Sequence, residues 1–184
     1  MDSWAALKDE CSRCRDCKLC DGRKHIVFGD GNESARIMFI GEGPGEQEDL
    51  QGLPFVGAAG QLLDTMLSLI DVSRENSYIA NIVKCRPPMN RDPQDDEKSA
   101  CIKWVMRQIE LVNPKIIVCL GRISAQMLID TEFKITRQHG EWFEKDGRLY
   151  TAIYHPSALL RDAGKRPETF QDLRGIREKI REIS

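Results

Sequence analysis

The chain has 184 residues, 41% hydrophobic and 30% charged, and 27 Lys and Arg stand against 29 Asp and Glu for a formal net charge of −2. That balance excludes a disordered chain and a histone-like binder driven by bulk positive charge, while leaving room for a locally basic face. At this length one domain buries roughly 70% of the surface its unfolded chain exposes, so a full core forms without cross-links.

The opening Met1-Asp2-Ser3-Trp4 has no basic-then-apolar leader, and no apolar run approaches a membrane span. A cytoplasmic protein with no membrane partner is therefore expected. Residues 2–20 read as a polar helix or turn segment carrying Cys11, Cys14, Cys17 and Cys20. The apolar run Ala35–Ile40 ends at Gly41, the pattern of a buried strand feeding a glycine-rich turn. Residues 58–71 space Leu62, Leu63, Met66, Leu67 and Ile70 as a helix does. Ser77–Lys84 reads as a second strand. Residues 86–95 hold Pro87, Pro88 and Pro93 and form a loop. An amphipathic helix is predicted over residues 96–112. Lys115–Gly121 is a third strand without polar alternation, as a strand covered on both faces should be. A short helix over 122–130 follows, then a hairpin over Glu141–Tyr150 turning at Asp146-Gly147. Leu149–Tyr154 is the last core strand, ending at His155-Pro156, and residues 168–183 form a charged terminal helix.

Strands alternating with helices predict an α/β fold. The expected form is a three-layer α/β/α domain over residues 1–184 around a central, mainly parallel four-stranded sheet. Ligands of such sheets bind beyond the carboxyl ends of the strands. The segments there are Gly41–Glu46, Asn81–Cys85 and His155–Ser157.

Gly41-Glu42-Gly43-Pro44-Gly45-Glu46 is neither G-x-G-x-x-G nor a P-loop, and Glu42, Glu46, Glu48 and Asp49 would repel phosphate. Such a turn suits close backbone approach to a flat, neutral ligand, with carboxylates nearby for water or proton handling. It is also what a tight turn with solvated acids looks like.

Seven cysteines are many for a reducing compartment, where metal binding or redox chemistry is the usual reason. Cys11, Cys14, Cys17 and Cys20 form C-x2-C-x2-C-x2-C, close to an iron–sulfur run, although the fourth gap is short and no Pro follows. Two C-x2-C pairs on zinc are a second arrangement. A third joins one N-terminal pair to Cys85 and Cys101, which flank the Pro-rich loop. Cys119, among Ile116, Ile117, Val118 and Leu120, reads as a small core residue.

Several motifs occur together and in order: Gly41–Glu46 with Glu48-Asp49, Pro54-Phe55-Val56-Gly57, Asn81-Ile82-Val83-Lys84-Cys85-Arg86-Pro87-Pro88, and His155-Pro156-Ser157-Ala158-Leu159-Leu160-Arg161. This set resembles the family 4, iron–sulfur uracil-DNA glycosylases from about Cys14 to Arg161. The resemblance implies a monomeric repair enzyme of glycosylase-like fold. Such an enzyme flips uracil out of single- or double-stranded DNA and hydrolyses its N-glycosidic bond. It implies a structural [4Fe–4S] cluster on Cys14, Cys17, Cys85 and Cys101 that ties residues 1–22 to the core, with Cys11 and Cys20 as extra thiols. Phe55 would stack on the base, and Asn81 would pair with its edge and reject cytosine. His155 would donate to uracil O2 as charge builds there. Gly41, Glu42 and Gly43 would line the base site, the main-chain N–H groups of Glu42 and Gly43 acting as donors. Glu42 is the first candidate for positioning water and Glu48 the second. Glu48 would alternatively reject the thymine methyl. No lysine is assigned to catalysis in these motifs, which implies hydrolysis without a Schiff base. Leu159, Leu160 and Arg161 would enter the base stack and hold phosphate, with Arg86, Lys84, Arg91, Lys165 and Arg166 extending a basic face.

Two other readings fit the same residues: a superfamily member with another deaminated-base or tight uracil-DNA-binding specificity, or a non-enzymatic iron–sulfur or zinc module that binds nucleic acid.

Overall fold

The computed structural model describes residues 3–184. Five of its elements form the frame of the site. β2 (Ile37–Gly41), β3 (Tyr78–Asn81), β4 (Ile116–Leu120) and β6 (Arg148–Ile153) run parallel, and α4 (Asp95–Val112) covers one face. Short antiparallel strands, β1 (Asp30–Gly31) and β5 (Phe143–Lys145), pair with β3 and β6. The sheet therefore has six strands in the order β1-β3-β2-β4-β6-β5. The four strands read from sequence are its parallel centre. β5 and its turn at Asp146-Gly147 stand where the hairpin over Glu141–Tyr150 is expected, whereas β1 is too short to leave an alternation of its own.

Every residue of β2, β3 and β4 is buried, so apolar side chains leave both faces. Met38, Ile40, Ala80, Ile117 and Cys119 point to one core with α1 (Trp4–Ser12) and α4. Ile37, Phe39, Ile79, Val118 and Leu120 point to the other, with α3 (Ala58–Ser68) and α8 (Arg166–Glu182). This period of two makes three layers.

The N-terminal segment joins the core by apolar packing. Leu7 and Cys11 on α1 are fully buried, and Trp4 meets the rings of Phe28 and Tyr78 edge-on at 5.4 and 5.1 Å. α4 begins in a capping box, with Gln94 N–H donating to the Glu97 carboxylate at 2.9 Å.

Boundaries differ where a partner runs out. The strand expected to reach Lys84 stops at Asn81, because β2 ends opposite it at Gly41. α3 stops at Ser68, three residues before the expected end. α2 (Glu46–Gln51), α6 (Ile135–Gln138) and α7 (Pro156–Arg161) escape the sequence reading, since so few residues hold too little periodicity. α5 (Arg122–Leu128) stands close to where it is expected. Among the described residues no helix is long and apolar enough to cross a membrane.

Leu7→Ala should cost about 2–5 kcal/mol in urea unfolding and make Cys11 reactive to a thiol reagent in the native state. A loss below about 1 kcal/mol would show that α1 is not held by this packing.

Candidate active site

A cavity of about 440 Å³ opens at the carboxyl edge of the sheet. Glu42, Gly43, Glu48, Phe55, Asn81, His155 and Arg161 all reach its wall, from four segments far apart in sequence. Gly41 does not. It lies behind the wall, opposite Asn81, where a Cβ would stand 2.6 Å from both Asn81 Oδ1 and the Phe55 ring. A Cβ at Gly43 would likewise meet Val83 Cγ2 at 2.6 Å. The glycines are needed for close packing of the turn, and the functional side chains crowd against them.

Asn81 is 2% exposed and its Oδ1 accepts no hydrogen bond, although it lines the cavity. A buried acceptor left unpaired costs about 1–3 kcal/mol. Phe55 sits beside it in a left-handed conformation, φ 52°, which only glycine adopts without strain. Arg74 holds that strained turn by donating to the carbonyls of Pro54, at 2.7 Å, and of Phe55. The ring of Phe55 lies 5.6 Å from that of His155, tilted by 31°.

Burial lowers the pKa of His155 to about 4, and the charge of Arg161 acts in the same direction. The imidazole is therefore neutral at pH 7. The Ser157 N–H donates to Nδ1 at 3.0 Å, so the remaining ring proton sits on Nε2. Glu42 moves the other way. Burial pushes its pKa up to about 7, helped by the charge and hydrogen bond of Asp92 and opposed by Arg122 and Arg161. Glu48 stands farther along the wall on α2, its carboxylate over Gly45 and Gly57. The cavity thus offers a flat aromatic face, an unpaired acceptor, a neutral N–H donor and a carboxyl that ionises near neutrality.

The cysteines form a second centre. Cys14, Cys17, Cys20, Cys85 and Cys101 line one small cavity with Arg23, Lys84 and Trp104. All seven cysteines are free. Among the described residues no three His, Cys, Asp or Glu side chains already stand at metal-ligand spacing, so these thiols share a cavity without closing on one point. N–H groups nevertheless point at sulfur: Lys84 N to Cys101 Sγ at 3.2 Å, and Arg23 Nη1 to Cys85 Sγ at 3.5 Å. Burial pushes Cys101 up to about 12 and raises Cys85 and Cys17. Such thiols ionise only against strong positive charge, while the N–H donors suit thiolate sulfur. The donor set fits a thiolate-bound metal or cluster. Cys11, fully buried on α1, does not line that cavity, and Cys119 is fully buried in mid-strand.

Residues 28–175 match the Uracil DNA glycosylase superfamily. The chain is 45% identical over 186 residues to the type-4 uracil-DNA glycosylase of Archaeoglobus fulgidus, covering 97% of this chain and 94% of that one. Identity to the type-4 uracil-DNA glycosylase of Saccharolobus solfataricus is 42% over 193 residues, covering 98% and 88%. The chain belongs to the type-4 uracil-DNA glycosylases. Similarity to the type-5 enzyme of Pyrobaculum aerophilum is lower, 32% over 161 residues.

The rim of this type-4 site departs from the sequence reading in three places. Leu159 is 2% exposed and packs in the core beneath α7, so it is no wedge; Leu160 beside it is 48% exposed. Lys84 is fully buried and donates to Phe28 O at 3.0 Å and Gln108 Oε1 at 2.7 Å, so it adds nothing to a basic face. Arg91 reaches the cavity but its guanidinium grips the Glu97 carboxylate at 2.6 and 3.0 Å. Arg161 is exposed, and Arg86 is half-buried with Nε on Asn90 Oδ1 at 2.7 Å. Met89, 93% exposed, stands on the same loop.

Three contributors escaped sequence reasoning. Arg74 lies far from any motif, and Asp92 hides in a loop without periodicity. Arg122 was within reach, because it follows Gly121 at the carboxyl end of β4, on the edge where ligands bind. Gly121 adopts φ 93°, and a Cβ there would meet His155 Cβ at 3.0 Å.

A nitrogen-15 NMR titration should find His155 neutral, protonated on Nε2, with a midpoint near pH 4. A ring charged at pH 6 would contradict this geometry.

Proposed function

We propose that the protein excises uracil from DNA by hydrolysing the N-glycosidic bond. The observation that carries this is the unpaired Oδ1 of Asn81 inside the cavity. Uracil fits it because N3–H donates to that oxygen. Cytosine has no hydrogen on N3, so the acceptor would stay buried and unpaired, which is where large discrimination arises.

The base leaves the stack to reach the cavity and lies against Phe55. As the glycosidic bond lengthens, negative charge grows on the base, and His155 Nε2–H donates to O2. A neutral donor is effective here because it is already oriented when the charge develops. Glu42, once ionised, orients a water toward C1′ and faces the cation-like sugar. The water adds at C1′, uracil departs, and an abasic site remains. Glu48 lines the same cavity and would shape the wall of the base site. None of the described residues lining the cavity is a lysine, which favours hydrolysis over a Schiff base. Lys84 does lie in the Asn81 motif, but its amine is held by Phe28 and Gln108.

Leu160 and Arg161 form the apolar tip and cation that enter the stack and hold phosphate, joined by Arg86. Cys14, Cys17, Cys85 and Cys101 would hold a [4Fe–4S] cluster, which anchors the N-terminal segment and the Pro-rich loop to each other. Cys20 shares the cavity and Cys11 does not. One chain supplies every group named, so the working unit is a monomer. Unpaired cysteines suit a reducing, cytoplasmic compartment.

The purified protein should leave an alkali-labile site in a uracil-containing oligonucleotide and be brown, with about four irons per chain. Asn81→Ala should lose on the order of a hundredfold or more of the excision rate and keep the visible absorbance. Unchanged excision by that variant would refute the base-site assignment. A colourless zinc protein would refute the cluster.

A further inference from the structure

We propose that Met89 is a second apolar wedge, which the Pro-rich loop presents to the base stack of duplex DNA beside the extruded uracil. This rests on the functional reading above and extends it to a residue outside the motifs.

Met89 is 93% exposed, whereas the other exposed large apolar side chains among the described residues reach only 40–49%. A lone exposed apolar residue needs no explanation by itself. This one also sits on strained backbone. Met89 has φ 54° and ψ 30°, and Asn90 after it has φ 56°. Left-handed backbone crowds Cβ against the following carbonyl in every residue but glycine, and asparagine tolerates it better than methionine. In the free protein almost no burial of the Met89 side chain offsets that strain.

The surroundings hold the strained pair in place. Arg86 Nε donates to Asn90 Oδ1 at 2.7 Å. The Asn90 N–H donates to the Pro87 carbonyl at 3.1 Å, and the Arg91 N–H to that of Pro88 at 3.2 Å. Arg91 in turn grips the fully buried Glu97 of α4 at 2.6 and 3.0 Å. Strain that the surroundings over-determine in this way is a mark of ligand clamps.

The place of the loop decides the ligand. Pro87, Asn90, Arg91 and Asp92 line the cavity, and the Cα of Met89 is about 3.8 Å from that of Asn90 across one peptide bond. Met89 itself is outside the cavity wall, so it stands at the mouth, where DNA flanking an extruded base would lie. Methionine is among the apolar side chains that enter between base steps, and its unbranched thioether fits irregular gaps. Arg86, assigned above to phosphate, is on the same loop, so one element supplies a cation for the backbone and an apolar tip for the bases. Leu160 stands next to the rim residue Arg161 on α7. Two apolar tips therefore come to the mouth from separate elements. Extrusion from a duplex breaks pairing as well as stacking, so a wedge that fills the gap contributes most there.

The test is the ratio of kcat/KM on duplex to that on single-stranded uracil oligonucleotides. Beside it, 2-aminopurine is placed in turn on either side of the uracil in a duplex, where unstacking brightens its fluorescence. In that duplex a 2′-fluoro sugar at the uracil disfavours the cation-like transition state and keeps the bond intact. Met89→Ala should lower the ratio about tenfold and brighten the probe less than the unaltered protein does. Met89→Asn suits the left-handed turn but lacks apolar bulk, and it should behave as Met89→Ala does. Met89→Leu should restore both signals. An unmoved ratio in Met89→Ala, an equal loss in Met89→Leu, or unchanged brightening at both probe positions would overturn the proposal. If the unaltered chain excises no uracil, the functional reading fails, while the fluorescence still decides whether Met89 enters the stack.

Discussion

The site depends on one close approach. The parallel register of β2 and β3 sets Gly41 directly opposite Asn81, with Phe55 against both. No side chain fits at position 41, because its Cβ would lie 2.6 Å from Asn81 Oδ1 and from the Phe55 ring. A recognition amide and an aromatic platform can therefore share one corner only if the strand ends in glycine. The strain at Phe55, φ 52°, belongs to the same corner and is held by Arg74 from the turn before β3. Such strain persists where the surroundings over-determine it, and it fixes the ring before any ligand arrives.

Around that corner, two titratable groups are driven apart by where they sit. Burial and Arg161 leave His155 a neutral donor, while burial and Asp92 leave Glu42 ionising near neutrality. A pocket for an uncharged base needs this restraint, since a fixed charge at either position would have to be desolvated when the base enters. The cations that would meet phosphate stand at the rim, at the exposed Arg161 and at Arg86. A net charge of −2 is thus compatible with DNA as substrate.

Much of this was legible in the sequence. The apolar runs of β2 and β4 are unalternating because both faces are covered, and the carboxyl-end rule points to Glu42, Asn81 and His155. What the sequence could not show was direction. Leu159 and Leu160 are adjacent and equally apolar, yet the turn of α7 sends one into the core and the other into solvent. Lys84 reads as a surface cation, but β3 has ended and its side chain runs inward to Gln108. Asp92 and Arg122 belong to no shared motif, so only the fold shows that they meet. The thiols follow the same rule. Spacing left three pairings open, and the fold gathers Cys85 and Cys101 beside Cys14, Cys17 and Cys20 around one cavity that Cys11 does not line.

The central claim is that Asn81 Oδ1 accepts from N3–H of the extruded base. An oligonucleotide carrying N3-methyluracil removes that one donor and keeps the glycosidic bond. The account predicts that the protein cleaves uracil and leaves N3-methyluracil intact, and that Asn81→Gly treats the two bases nearly alike. Equal cleavage of both bases by the unaltered protein would contradict it.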